Sequence, residues 1–200
     1  MTSPIIDLYF PLQGRNIPVD HGYPLFAALA QRLETPGHPW LHESGDIGIH
    51  LIRGRYQGQG LLALGPHAKL GLRLPAERLP QLLPLAGKAL EIAGHGLRLG
   101  IPQPHALQPA ANLYAHLVTT HHGQDEARFD QEIARQLAAL GIQSHAQRGP
   151  RRTFAVKGKQ VVAHSLLVTE LTAEESIRLQ EMGLGGRRKL GCGVFVPWIR

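Results

Sequence analysis

Residues 172–196 read TAEESIRLQEMGLGGRRKLGCGVFV. Thr172 followed by Glu175 is a capping-box pattern, and it starts a helix running to about Met182. Val194, Phe195 and Val196 form a short apolar strand. Between helix and strand, glycines at 183, 185, 186, 191 and 193 surround three consecutive cations, Arg187, Arg188 and Lys189. Glycine tolerates φ > 0 and lets backbone amides approach a ligand closely, and successive amides in such a turn form an anion-binding nest. Three cations beside them make a phosphate the natural ligand. The helix, loop and last strand also read as the closing step of a β-α-β-β-α-β module.

Working back from this segment completes the module. Thr153–Val156 and Val161–Thr169 are β-rich runs joined by a hairpin turn at Lys157-Gly158-Lys159. Asp125 to Leu140 reads as a helix with Phe129, Ile133, Leu137 and Leu140 on one face, stopped by Gly141. Leu113–Thr119 reads as the first strand. The first half of the chain repeats this order. Ile5–Phe10 is a strand, and a helix from about His21 to Leu33, capped by Asp20, buries Leu25, Phe26, Leu29 and Leu33. Strand-like runs follow at Ile47–Ile52, Leu61–Leu64 and Leu70–Leu74. A helix then carries Leu79, Leu82, Leu83 and Ala86 on one side, against the interruptions of Pro80 and Pro84. Ala89–Ile92 and Leu97–Leu99 read as a hairpin, and Pro102–Pro109 as a linker. The expected architecture is α+β, two tandem ferredoxin-like (RRM-like) domains over residues 1–102 and 110–200.

Composition narrows the function classes. An apolar content of 43% is enough for a real core. No run of eighteen apolar residues exists, and MTSPIIDLYF lacks the basic start and apolar middle of a signal peptide, so a cytoplasmic protein without membrane partners is expected. The single cysteine, Cys192, excludes an internal disulfide framework and a cysteine-based zinc cluster. Twelve histidines are scattered without an HExxH pattern. His121 and His122 are adjacent and would diverge on a helix or a strand, and Pro39 interrupts the His38/His42 spacing. No metal or cofactor is expected. Charge is segregated: residues 1–147 are neutral overall, and the whole net charge of +6 lies in residues 148–200. A neutral body with a basic end suggests a polyanion docking on that end.

Three phosphate-binding readings compete for residues 183–193. Gly186 and Gly191 have Walker A spacing, but Cys192-Gly193 stand where Lys-Ser/Thr belong. A dinucleotide fingerprint runs from strand through glycines to helix, the reverse of the order here. What remains is a glycine-rich basic loop on a nucleic-acid backbone, with Gly185, Gly186, Arg187, Arg188, Lys189 and Gly191 as contact residues. Arg148, Arg151, Arg152, Lys157 and Lys159 cluster around the proposed hairpin and would extend the same surface.

The segment GLGGRRKLGCGVF resembles the glycine-rich loop of the repeat-associated RNA-processing superfamily. With Val19–Leu25 (VDHGYPL), Leu41-His42-Glu43, Leu85–Lys88, Arg151–Thr153, Lys157–Lys159 and Ala173–Ser176, nearly the whole chain resembles CRISPR-associated endoribonucleases that cut precursor CRISPR RNA within its repeats, especially the Myxococcus-type branch. The resemblance implies two tandem ferredoxin-like domains. It also implies metal-independent cleavage, in which the 2′-hydroxyl beside the scissile phosphate attacks to leave 2′,3′-cyclic phosphate and 5′-hydroxyl ends. His42 matches the histidine such enzymes place after the first helix, and an imidazole suits proton transfer at neutral pH. His21 and Tyr23, at the start of that helix, are the next catalytic candidates. The chain departs from the family in lacking any Lys or Arg between residues 43 and 52, so phosphate stabilisation falls to Arg53 or the C-terminal loop. The implied partners are CRISPR repeat RNA and other subunits of an effector complex. The competing expectation is a non-catalytic RNA-binding subunit of such a complex.

Overall fold

The computed structural model describes residues 3–198, and the chain divides after Ala106 into two compact units. The N-terminal unit contains β1 (Ile5–Gln13), β2 (Asn16–Pro18), α1 (Gly22–Leu33), α2 (Trp40–Glu43), β3 (Gly48–Ile49), β4 (Arg55–Gly58), β5 (Leu61–Ala63), β6 (Lys69–Pro75), α3 (Leu79–Leu82), β7 (Ala89–Ile92), β8 (His95–Leu99) and β9 (Gln103–Ala106). The C-terminal unit contains β10 (Leu113–Val118), α4 (Glu126–Ala139), β11 (Ala146–Val156), β12 (Lys159–Val168), α5 (Ala173–Met182) and β13 (Val196–Pro197).

The C-terminal unit is a ferredoxin-like sheet in the order β11-β12-β10-β13, all antiparallel. Both helix starts follow their sequence signals. Asp125 accepts from the Arg128 N–H to cap α4, and Thr172 and Glu175 close the capping box of α5. Phe129, Ile133 and Leu137 of α4 join Leu113, Leu166, Leu179 and Phe195 in one buried cluster. The hairpin turn is Lys157-Gly158, both at positive φ, as a two-residue type I′ connection requires. The strand before it begins at Ala146, seven residues earlier than the apolar pattern suggests. Its first residues are polar, and a bulge between Arg148 and Arg151 shifts the register.

The N-terminal unit is also ferredoxin-like: β6 and β9 flank β1, and β3 lies outside β6. The segment expected to be a linker supplies its fourth strand. All four residues of β9 are exposed, so no apolar alternation marks it, and Pro104 is tolerated because, among the described residues, β9 pairs with β1 alone. Pro80 and Pro84 break the second helix into a single α-helical turn flanked by 3₁₀ turns. Only Gly48–Ile49 of the expected strand 47–52 pairs in the sheet. The expected run at 61–64 forms β5, the centre of a small separate sheet in the order β2-β5-β4 whose two outer strands the sequence pattern does not mark.

On the sheet face opposite the buried Leu8 and Phe10, Asp7 stands directly across from Arg73. The fully buried guanidinium donates to both carboxylate oxygens, at 2.8 and 2.9 Å. His50 Nε2–H and the Tyr9 hydroxyl also donate to Asp7, at 3.0 and 3.2 Å. Burial alone would push the Asp7 carboxyl up, but the hydrogen bonds from Arg73 and His50 outweigh it and hold it well below the usual carboxylate range. Replacing Asp7 with Ala strips a buried cation of its carboxylate and should lower unfolding free energy by about 3 kcal/mol in urea titration. A carboxyl depressed in the folded state contributes stability above its unfolded pKa. Wild-type stability should therefore decline as pH falls below about 4, and Asp7→Asn should lack that part of the decline.

Candidate RNA-cleaving and RNA-gripping sites

His42 lies in α2, beyond the Pro36-Gly37 turn that follows α1. Glu34, the C-cap of α1, clamps it twice. One carboxylate oxygen accepts the His42 backbone N–H at 2.8 Å, and the other accepts from ring Nδ1 at 2.7 Å. A carboxylate only accepts, so Nδ1 carries the proton and the imidazole's lone pair sits on Nε2. Phe26 meets the ring edge-on, with centroids 4.7 Å apart. The side chain stays 54% exposed while Glu34 is 12% exposed, so the imidazole is held from beneath and open to solvent. Tyr23 is half-buried on α1, and its i, i+3 spacing puts it beside Phe26 on the same helix face.

His21 is placed differently. It occupies the N-cap position where Asp20 was expected, without a side-chain capping bond, and is 2% exposed. Its Nδ1–H is shared by the Pro18 and Val19 carbonyls at 2.9 and 3.1 Å, and Nε2 accepts the Ile52 N–H at 2.9 Å. Burial holds its pKa below the ordinary value. Both nitrogens are committed to the backbone, so the ring ties the helix start to the segment after β3. His50 is held through Nε2 on Asp7. Arg53 is exposed just past Ile52.

In the C-terminal unit the glycine-rich segment folds back on β10. Gly186 N–H donates to the Thr119 carbonyl at 3.0 Å and Gly193 N–H to the Leu117 carbonyl at 2.7 Å. Gly185, at φ 72, packs so closely that a Cβ would collide with the Thr119 carbonyl oxygen. Its N–H donates to Gln136 Oε1 at 2.7 Å. Arg187 is exposed and left-handed, with φ 63 and ψ 35, an uncommon state for a residue with a side chain. Arg188 and Lys189 are half-buried in a short 3₁₀ turn that ends at Gly191.

The hairpin cations divide. Lys157 and Lys159 are exposed at its tip. Arg151 is exposed and donates to Gln124 at 3.0 Å, and Arg152 is half-buried. Arg148 is paired with Asp130 and Glu126, each at 2.9 Å, and so ties β11 to α4. Glu34 escaped the sequence reading because it lies eight residues from His42. The only trace was the Pro36-Gly37 turn that brings the two together.

Known proteins match this chain over nearly its full length. The Cas6 CRISPR family model matches residues 6–200. The CRISPR-associated endonuclease Cas6 of Myxococcus xanthus (strain DK1622) is 46% identical over 192 residues, covering 96% of this chain and 81% of that protein. The product of a Cas6-related gene from Pyrococcus furiosus superposes with TM-score 0.65 and 13% identity, over 96% of this chain and 98% of its own. A RAMP protein described as binding different RNA substrates superposes with TM-score 0.67 and 12% identity, over 95% and 98%. At such identities the two structures speak for the fold alone.

Gly185→Ala, which combines positive φ with a backbone collision, should cost about 2 kcal/mol of stability. Gly186→Ala, which meets open space, should melt as wild type. Thermal unfolding of both variants checks the difference.

Proposed function

The chain belongs to the Cas6 family, and from that premise we propose that it is an endoribonuclease that cuts precursor CRISPR RNA within its repeats by a metal-independent route. The observation that carries the proposal is the Glu34–His42 clamp. With the proton fixed on Nδ1, Nε2 is the nitrogen that takes the proton of the 2′-hydroxyl as general base. The 2′-oxygen forms a bond to phosphorus and the bond to the 5′-oxygen breaks, that oxygen taking a proton from solvent. The products are a 2′,3′-cyclic phosphate and a 5′-hydroxyl. Glu34 orients the ring and balances the imidazolium that forms. Tyr23 orients the substrate from the same helix face, and His21 serves the architecture of that helix.

The glycine-rich loop grips the RNA. Arg187, Arg188 and Lys189 supply charge to phosphates, with Gly185, Gly186 and Gly191 letting backbone and phosphate approach. Exposed Arg151, Lys157 and Lys159 extend the grip, with Arg152 beside them. Arg148 contributes through its hold on α4. This basic surface suits a long polyanion in the cytoplasm, and association with further effector subunits is compatible with it.

Repeat RNA incubated with the protein in EDTA should yield a cyclic-phosphate product. A deoxy substitution at the attacking nucleotide should stop cleavage and leave binding intact. His42→Ala should slow cleavage by roughly 10²–10⁴-fold, and Glu34→Ala by about 10²-fold, with RNA affinity unchanged. Cleavage that survives the deoxy substitution, or that requires magnesium, overturns the mechanism. RNA binding without cleavage under every condition would make the chain a guide-holding subunit instead. Affinity for the repeat should fall steeply with salt, and Lys157→Ala with Lys159→Ala should flatten that dependence.

A further inference from the structure

A hollow of about 930 Å³ opens in the C-terminal unit beside the glycine-rich loop. That volume accommodates a nucleotide. His121 and His122 both line it. Adjacent residues diverge on regular elements, but these two lie in the turn between β10 and α4, and both border the same space. Both are exposed.

The turn beneath them is fixed. Fully buried His164 contacts the Gly123 carbonyl through Nε2 at 3.2 Å and packs on Phe129. Gly123 sits so close to β12 that a Cβ would lie 2.9 Å from the Val162 carbonyl oxygen. Asp125 N–H donates to the His122 carbonyl at 3.0 Å.

The α4 side is equally ordered. Glu132 holds the Arg135 guanidinium through two bonds, at 2.7 and 2.9 Å, and accepts from Gln136 at 2.7 Å. Gln136 in turn accepts from Gly185, so one chain of hydrogen bonds runs from the loop to Arg135. Arg187 lines the hollow from the loop.

These groups suit one kind of occupant. Two imidazoles and a planar guanidinium are surfaces on which a nucleobase stacks. A carboxylate and an amide can pair with a base edge, and Arg187 can meet a phosphate. A small free anion is disfavoured, because hydrogen bonds from Arg135 and Gln136 hold the Glu132 carboxyl at about 2 and keep it ionised at neutral pH.

We propose that this hollow is the subsite for one unpaired base of the bound RNA, stacked on His121, His122 and Arg135, with its phosphate at Arg187. The proposal rests on the RNA-binding reading above. It adds a base-reading site to a loop that grips only the backbone.

The experiment measures equilibrium binding of repeat RNA to the full chain, using a set of RNAs each abasic at one unpaired position. On the wild-type protein one position should weaken binding on the order of tenfold. The H121A/H122A variant, and separately R135A, should bind intact RNA with a similar loss. Neither should lose further affinity on the RNA abasic at that position, since the partners of one contact are not additive. If losses add at every position, or if both variants bind as wild type, the subsite is wrong while the RNA-binding reading stands. If wild-type protein shows no salt-sensitive RNA binding at all, the RNA reading fails and the subsite with it.

Discussion

Backbone packed on backbone at the glycine-rich segment governs the C-terminal unit. Gly185 lies against the Thr119 carbonyl and Gly193 against the Leu184 carbonyl, each too close for a Cβ and each at positive φ. Around these contacts, hydrogen bonds from Gly186 and Gly193 fasten the segment to the end of β10. The chain can therefore leave α5, run along the end of the sheet and enter β13 beside β10 over residues 183–195. The same constraint lifts Arg187 out of the loop in a left-handed conformation. A basic loop of other composition would keep its charge but lose its fixed shape.

In the N-terminal unit a comparable constraint is electrostatic. Asp7 and Arg73 face each other across β1 and β6, and His50 and Tyr9 complete the carboxylate's hydrogen bonds. A buried pair with every lone pair engaged favours one register, because a one-residue slip would move each charge to the opposite face. Gly71 between them leaves room for Tyr9 and His50, since a Cβ there would lie 2.6 Å from the tyrosine ring. His50 and His21 are thus spent on architecture. His42, held by Glu34 outside the sheet, keeps an exposed imidazole.

Much of the fold was legible because its signals are local. The capping box at Thr172, the helix start at 125–126 and the Lys157-Gly158 turn each depend on a few neighbouring residues, and all are found where the pattern put them. Strand β9 was illegible because an edge strand exposed along its whole length carries no alternation. The second helix of the first half was overread, because its leucine spacing survives while Pro80 and Pro84 allow only single turns. The candidate site was half legible: His42 stood out by the phrase around it, whereas Glu34 is an ordinary acidic residue until the turn at 36–37 brings it under the ring.

Local signals were enough for the two-module order, the segregation of charge into the last quarter and the run of cations set among the glycines of residues 183–193. These rest on periodicity, caps and composition, which act over a few residues. The folded arrangement was needed to show that His21 is buried against the backbone, that His50 is buried against Asp7 and that Glu34 holds His42 at the surface. It also decided that Arg148 is internally paired, and that His121 and His122 share one hollow. Burial and hydrogen-bond partnership are set by residues far apart in the chain, so no local pattern encodes them.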